Sequence, residues 1–236
     1  MHKIKSLRLA AFLALTVAAG TASAQSMEML QGLTVYVGGA YIDVHSKADP
    51  LTSAPPTLPP GVEAGVRVGD AGTVGFGVVY RFAPAWSVEA ALGVPPEHSG
   101  YGTQFIEPFG QISTVKQVAP TFFLNYHFNA VMAGLSPFVG VGFNYTKFTD
   151  AKSTASGNAA SGGPTSIDMT DSWGVAAHVG LTYQIDRNWS IVGTIAYADV
   201  SSDMTATTTT NAGNIVRTTT IDFRPVVYTL SVGYTF

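Results

Sequence analysis

The chain has 236 residues, no cysteine, a formal net charge of −3 and 11% charged residues, against about a quarter in soluble domains. The charge argues against a nucleic-acid partner, and the lack of cysteine excludes a disulfide framework or a thiolate metal site. Hydrophobic residues make up 46%, yet no segment after the first 24 residues reaches the roughly 18 apolar residues of a membrane-crossing helix.

Lys3, Lys5 and Arg8 precede an apolar stretch from Leu9 to Ala19 and a small-residue site, Ala22-Ser23-Ala24. This is the pattern of a cleaved signal peptide over 1–24, with the mature domain over 25–236 starting at Gln25. A short membrane anchor is the other reading, but the apolar stretch is too short to span.

Beyond Gln25 the dominant period is two. Eight strands are predicted, over 33–44, 73–82, 86–94, 116–128, 137–148, 173–185, 189–200 and 222–236. In the last, Tyr228, Leu230, Val232, Tyr234 and Phe236 share one face, and small or weakly polar residues share the other. About ten residues of such alternation make one tilted bilayer crossing.

The connections alternate in length. Long ones fall over 45–72, 95–115, 149–172 and 201–221, and short ones at 83–85, 129–136 and 186–188. Aromatic residues gather at both strand ends of the apolar face: Trp86, Tyr126, Trp189 and Tyr234 near the short turns, Tyr41, Tyr145 and Trp173 near the long loops. Two aromatic girdles around an aliphatic belt mark two water interfaces. The expected fold is all-β: an eight-stranded antiparallel transmembrane β-barrel, with four long extracellular loops and three short periplasmic turns. It belongs in a bacterial outer membrane, in contact with its lipids. A soluble lipocalin-like barrel would keep its bulky apolar residues inside.

Eight strands enclose a lumen that side chains fill or one small ligand occupies, too narrow for a general porin. The inward positions are small, among them Gly75, Gly77, Gly93, Gly140 and Gly180. Two readings stay open: a vestibule open to the outside, or small residues that ease tight curvature. The few inward charges, Arg81 and Glu89, lie toward the short turns with His127, and suggest a polar floor. Pro95 and Pro96 end one strand and Pro120 interrupts its neighbour. Proline cannot donate to a ladder, so these residues mark either a lateral exit into the bilayer or a plain bulge.

Catalytic and metal signals are weak. His45, His98, His127 and His178 form no H-x-x-x-H pair and no carboxylate cluster with ligand spacing. Glu89 is the one acid within conceivable reach of His127. No enzyme activity, metal site or cofactor is expected.

Several blocks resemble one family. They are Trp86-Ser87-Val88-Glu89 with Pro95-Pro96-Glu97-His98, Ala119-Pro120-Thr121 with Asn125-Tyr126-His127-Phe128, and Pro137 to Thr146. Asp171-Ser172-Trp173-Gly174, Arg187-Asn188-Trp189 and the end from Pro225 to Phe236 complete the set. Their order and spacing resemble the outer membrane protein W family, which includes AlkL-like proteins. The resemblance implies an eight-stranded barrel for passive uptake of small hydrophobic molecules, with sideways release through the wall. It also implies that the last strand, with Tyr228, Tyr234 and Phe236, is the assembly signal read by the barrel-insertion machinery. The chain departs from the family pattern in a proline-rich first loop (Pro50, Pro55, Pro56, Pro59 and Pro60) and in small residues at Ala91 and Ala196. The lumen lining is expected from Ala91, Phe123, Phe138, Val192, Thr194 and Ala196. The alternative function is a structural or surface barrel whose loops bind a phage, a toxin or a host surface.

Overall fold

A strand that meets lipid on one face and a narrow lumen on the other must alternate bulky apolar with small or polar residues. The computed structural model, which describes residues 32–236, builds its wall from such strands. The expected signal peptide and the start at Gln25 lie outside the described residues. In chain order the strands are β1 (Leu33–Val44), β2 (Lys47–Ala48), β3 (Thr52–Ala54), β4 (Ala64–Val68), β5 (Ala71–Ala83) and β6 (Trp86–Gly93). They continue as β7 (Glu97–Gln104), β8 (Gln111–Val118), β9 (Thr121–His127), β10 (Leu135–Ser153) and β11 (Thr165–Met169). The last are β12 (Ser172–Gln184), β13 (Trp189–Ala198), β14 (Ser201–Thr210), β15 (Gly213–Asp222) and β16 (Pro225–Thr235). One short helix, α1 (Ala155–Ser161), sits between β10 and β11.

Eight strands close a ring of antiparallel pairs in the order β1, β5, β6, β9, β10, β12, β13 and β16. β16 returns to β1, with Thr34 opposite Thr235 and Tyr41 opposite Tyr228. Closure removes the free sheet edges that lipid would leave unpaired. Val141, Val175, Val179 and Leu230 are exposed on the outside, while Ser87, Asn125, His178 and Ser190 are buried inside. The lower girdle is packed edge to face, Trp86 on Tyr126 and Trp189 on Tyr234, each pair 5.0 Å between ring centroids. In the upper girdle Tyr145 lies 4.6 Å from Trp173. No helix among the described residues is long and apolar enough to cross a membrane; the apolar belt is made of strands.

The strand over 33–44 has its expected bounds and the others differ at one end or both. The strand expected over 86–94 stops at Gly93, and the one expected over 116–128 is split between β8 and β9 at Ala119-Pro120. The long connections are also less irregular than their composition suggests. β7 pairs with β8 and β14 with β15 as hairpins, and β10 runs on to Ser153 to pair with β8 and β11. β11 pairs with β14, β4 with β7, and both β2 and β3 with β15. The peptide N–H of Leu51 donates to Ala64 O at 2.8 Å and joins the two ends of this second sheet. The wall therefore continues above the upper girdle.

Candidate functional site

Inside the barrel lies a cavity of about 460 Å³. Ala91, Phe123, Phe138, Val192, Thr194 and Ala196 all line it, as do Arg81, Glu89 and His127. The register explains the grouping. Gly77 faces Ala91 and Glu89 faces Phe123 across β6, while Thr194 and Ala196 of β13 face Gly180 and His178 of β12.

Glu89 is the centre of the floor. Its carboxylate accepts the Tyr36 hydroxyl at 2.7 Å and the Asn125 amide at 2.7 Å. Because the Asn125 amide nitrogen donates to Glu89, its oxygen must accept, and it takes the Nε2–H of His178 at 2.7 Å. His178 Nε2 is 3.9 Å from Glu89 Oε2. Phe123 stacks on the His178 ring at 3.9 Å, and Phe138 meets it edge-on at 5.3 Å. A buried carboxylate is tolerable only when its oxygens are hydrogen-bonded, and both are.

The anticipated approach of Glu89 to His127 is corrected by this geometry. His127 Nε2 instead meets Ser87 Oγ at 2.8 Å, and its Nδ1 is buried with no partner. The Ser87–His127 distance is that of a nucleophile and its base. However, Ser87 is 0% exposed and no carboxylate orients the ring, so the pair offers no oxygen to a solute in the cavity. Among the described residues no three His, Cys, Asp or Glu side chains stand together as metal ligands.

Tyr36, Asn125 and His178 are floor residues that a one-strand reading misses, because their convergence depends on register. Asn125, Gly140 and His178 form one row across β9, β10 and β12. A Cβ on Gly140 would lie 2.1 Å from Asn125 Oδ1 and 2.3 Å from His178 Nε2. A Cβ on Gly77 would come within 2.5 Å of the Tyr36 hydroxyl, and one on Gly180 within 2.4 Å of Phe138. These inward glycines are pads on which floor side chains lie rather than empty space. Higher up, Cβ atoms on Gly75 and Gly93 would find only ordinary contacts at 3.5 Å or more.

The expected opening to the outside is roofed. Val200, Ile221 and Phe223 are each 1% exposed, and Phe148 stacks on Phe223 at 4.8 Å. Val66, Val68, Val115 and Met204 complete this cluster, and Val200 also borders the cavity. At the side of the cavity the wall is thinner. β6 pairs with β9 only up to Ala91 opposite Thr121, and β7 resumes with β8 at Glu97 opposite Lys116. Pro95, Pro96 and Pro120 fall in this break, and Leu92, Gly93, Pro96 and Ala119 line the cavity beside it. The carbonyls of Pro96 and Pro120 accept from Gln117 N at 3.1 Å and Tyr145 N at 3.0 Å.

A closed eight-stranded barrel, with an aliphatic belt outside and a polar network inside, defines the class of small transmembrane barrels of the bacterial outer membrane. The family model described as the OmpW family matches residues 32–236, and the chain belongs to that family. It is similar to outer membrane protein W of Vibrio cholerae serotype O1, at 31% identity over 165 residues, covering 69% of this chain and 73% of that protein. It is also similar to outer membrane protein AlkL of Ectopseudomonas oleovorans, at 28% identity over 173 residues, 73% of this chain and 70% of that protein. The crystal structure of the outer membrane protein OprG from Pseudomonas aeruginosa has the same fold. Its TM-score is 0.75 at 23% identity, covering 87% of this chain and 96% of that one. The chain is an outer-membrane protein.

Proposed function

We propose that the barrel is a passive channel for small hydrophobic molecules, with release sideways into the bilayer where β6 and β9 part. The observation that carries this reading is the cavity of about 460 Å³, which runs along the barrel interior past the Glu89 network and has Ala91, Phe123, Val192 and Ala196 in its walls. Cavities of roughly 300–1,000 Å³ suit a drug-sized apolar molecule. Such a molecule gains little from the Glu89 network, whose hydrogen bonds are already made, and loses by displacing it. Onward travel through the floor is therefore unfavourable. The break at Pro95, Pro96 and Pro120 reaches the cavity at Pro96 and is bridged by one backbone hydrogen bond, Gln117 N–H to Pro96 O, so a small separation there joins the cavity to lipid. The aromatic C-terminal strand, with Tyr228, Tyr234 and Phe236, is assigned to recognition by the barrel-insertion machinery.

The test is uptake of a radiolabelled long-chain alkane by cells with the protein, cells without it, and cells carrying Ala91→Trp with Ala196→Trp. Surface level and heat-modifiable folding are matched first. Uptake should rise with the protein and return to background with the filled lumen. Equal uptake in all three strains overturns the reading for that class of solute.

A further inference from the structure

The part of the wall above the upper girdle holds a second cavity, of about 90 Å³. Val66 and Met204 belong both to the roof cluster and to the walls of this cavity, so it lies against the roof. Leu51, Leu58, Ile106, Ile112 and Ile167 make much of the remaining wall. One charged side chain reaches these walls, Arg217 of β15, which is half-buried between Ala206 of β14 and Ser53 of β3.

Arg217 differs from Lys116, Arg224 and Arg67. Lys116 is 3.1 Å from Asp150, Arg224 is 3.6 Å from Asp222, and Arg67 lies over the Tyr101 ring. Arg217 has only neutral partners: Thr208 Oγ1 at 3.0 Å, Ser161 O at 3.3 Å and Thr57 Oγ1 at 3.5 Å. Among the described residues it has no carboxylate within 4.0 Å. A guanidinium carries five donors, so two remain unassigned. Burial lowers its pKa from the ordinary arginine value, yet a guanidinium stays charged at neutral pH. A partly desolvated cation without an anion, at the wall of an apolar pocket, is a cost that a bound anion removes.

We propose that this outer pocket binds short-chain monocarboxylate anions, with Arg217 holding the carboxylate and the aliphatic wall holding the chain. A carboxylate that displaces the long 3.5 Å contact from Arg217 Nη2 to Thr57 engages the planar fork with two parallel hydrogen bonds. Size sets the chain length. A dry cavity of about 150 Å³ takes benzene, so this one of about 90 Å³ accepts a chain of about four carbons beyond the carboxylate, or the acid end of a longer one. A phosphate head is the poorer match, because its second charge calls for another cation and the pocket walls supply none. The site is independent of solute conduction and would stand if the channel reading failed.

Met204 lies in the pocket wall and Met132 at the opposite, short-turn end, so methionine methyl resonances report on the site directly. The full chain is labelled with 13C-methyl methionine in zwitterionic lipid nanodiscs and titrated with pentanoate. The Met204 methyl, assigned through Met204→Leu, should shift saturably while Met132 stays still. Pentanol and pentylammonium should need at least tenfold more ligand for the same shift. Arg217→Met should weaken pentanoate at least tenfold, and Arg217→Lys should recover part of the loss. Ala160→Phe narrows the cavity from α1 with Arg217 intact, and it should also abolish the shift. The proposal is overturned if pentanoate gives no saturable shift, if pentanol matches it, or if Arg217→Met binds pentanoate unchanged with its Met132 resonance in place.

Discussion

The two halves of β10 obey opposite rules. Between the girdles, Val139, Val141 and Phe143 point outward and are exposed, while Gly140 and Asn144 point inward and are buried. A few residues further on, Lys147 points outward and Phe148 is buried inward. The backbone and its period do not change; the solvent does. Lipid accepts an apolar exterior, and the polar lumen is then held by hydrogen bonds among Tyr36, Glu89, Asn125 and His178. Above the membrane, water drives the apolar residues in, and Phe148, Val200, Ile221 and Phe223 form an ordinary hydrophobic core. The membrane ring is therefore specified by polar pairing inside, and the outer ring by apolar packing.

The largest expected effect separates these two kinds of interior. Phe223→Ala should cost about 3–5 kcal/mol, the range for deleting a buried phenyl ring from a core. Urea unfolding of the protein in lipid vesicles measures this loss. The damage should be confined to the outer ring, so hydrogen exchange should speed up in β14 and β15 before it does in β12 and β13. Uniform loosening of both rings would break the contrast.

The next effect probes the other interior. Asn125→Leu keeps the branched outline of the side chain but removes the donor to Glu89 and the acceptor for His178. Leaving a buried charge short of a partner and a buried N–H without one should cost about 3 kcal/mol. The same vesicle assay reads it, now with faster exchange in β6, β9 and β12 and an unaltered outer ring. A neutral result would mean that polar pairing does not specify the lumen.

The membrane ring is far more legible in the sequence than the outer ring, for the same physical reason. Lipid on one side imposes a strict apolar face on β10, β12, β13 and β16, so their period is visible without any partner. β14 reads Ser-Ser-Asp-Met-Thr-Ala-Thr-Thr-Thr-Thr and looks like a loop. Its buried residues, Ser202, Met204, Ala206 and Thr208, nevertheless alternate, and its threonines favour extended backbone. That weaker signal was available in the composition. The cavity walls at Ala91, Phe123, Phe138, Val192, Thr194 and Ala196 follow from face parity alone. The Tyr36–Glu89–Asn125–His178 floor does not, because it requires the register of six strands. The roof at Phe223 is hidden too, since its members come from residues 66–223 and meet only once the outer hairpins pair.

The smallest effect lies where the two rules meet. Asp70, in the turn before β5, accepts the Val44 N–H at 2.9 Å and the Tyr41 hydroxyl at 2.9 Å, and so ties the end of β1 to the outer turn. The backbone hydrogen bond from Val44, aided by the Tyr41 hydroxyl, holds the Asp70 carboxyl below its ordinary pKa. A carboxylate depressed in the folded state stabilises above its unfolded value, near pH 4, and loses that contribution as pH falls through the lower folded value. Asp70 is largely exposed, so screening by water limits the effect to under about 1 kcal/mol. Asp70→Asn should therefore leave a slightly less stable barrel at pH 7, with the gap to the parent closing as pH falls from about 4 through the lower folded value. Unfolding midpoints at pH 7 and pH 3 measure it. A gap that persists undiminished at pH 3 would assign the role of Asp70 to its shape rather than its charge. The boundary between the two rings would then rest on packing alone.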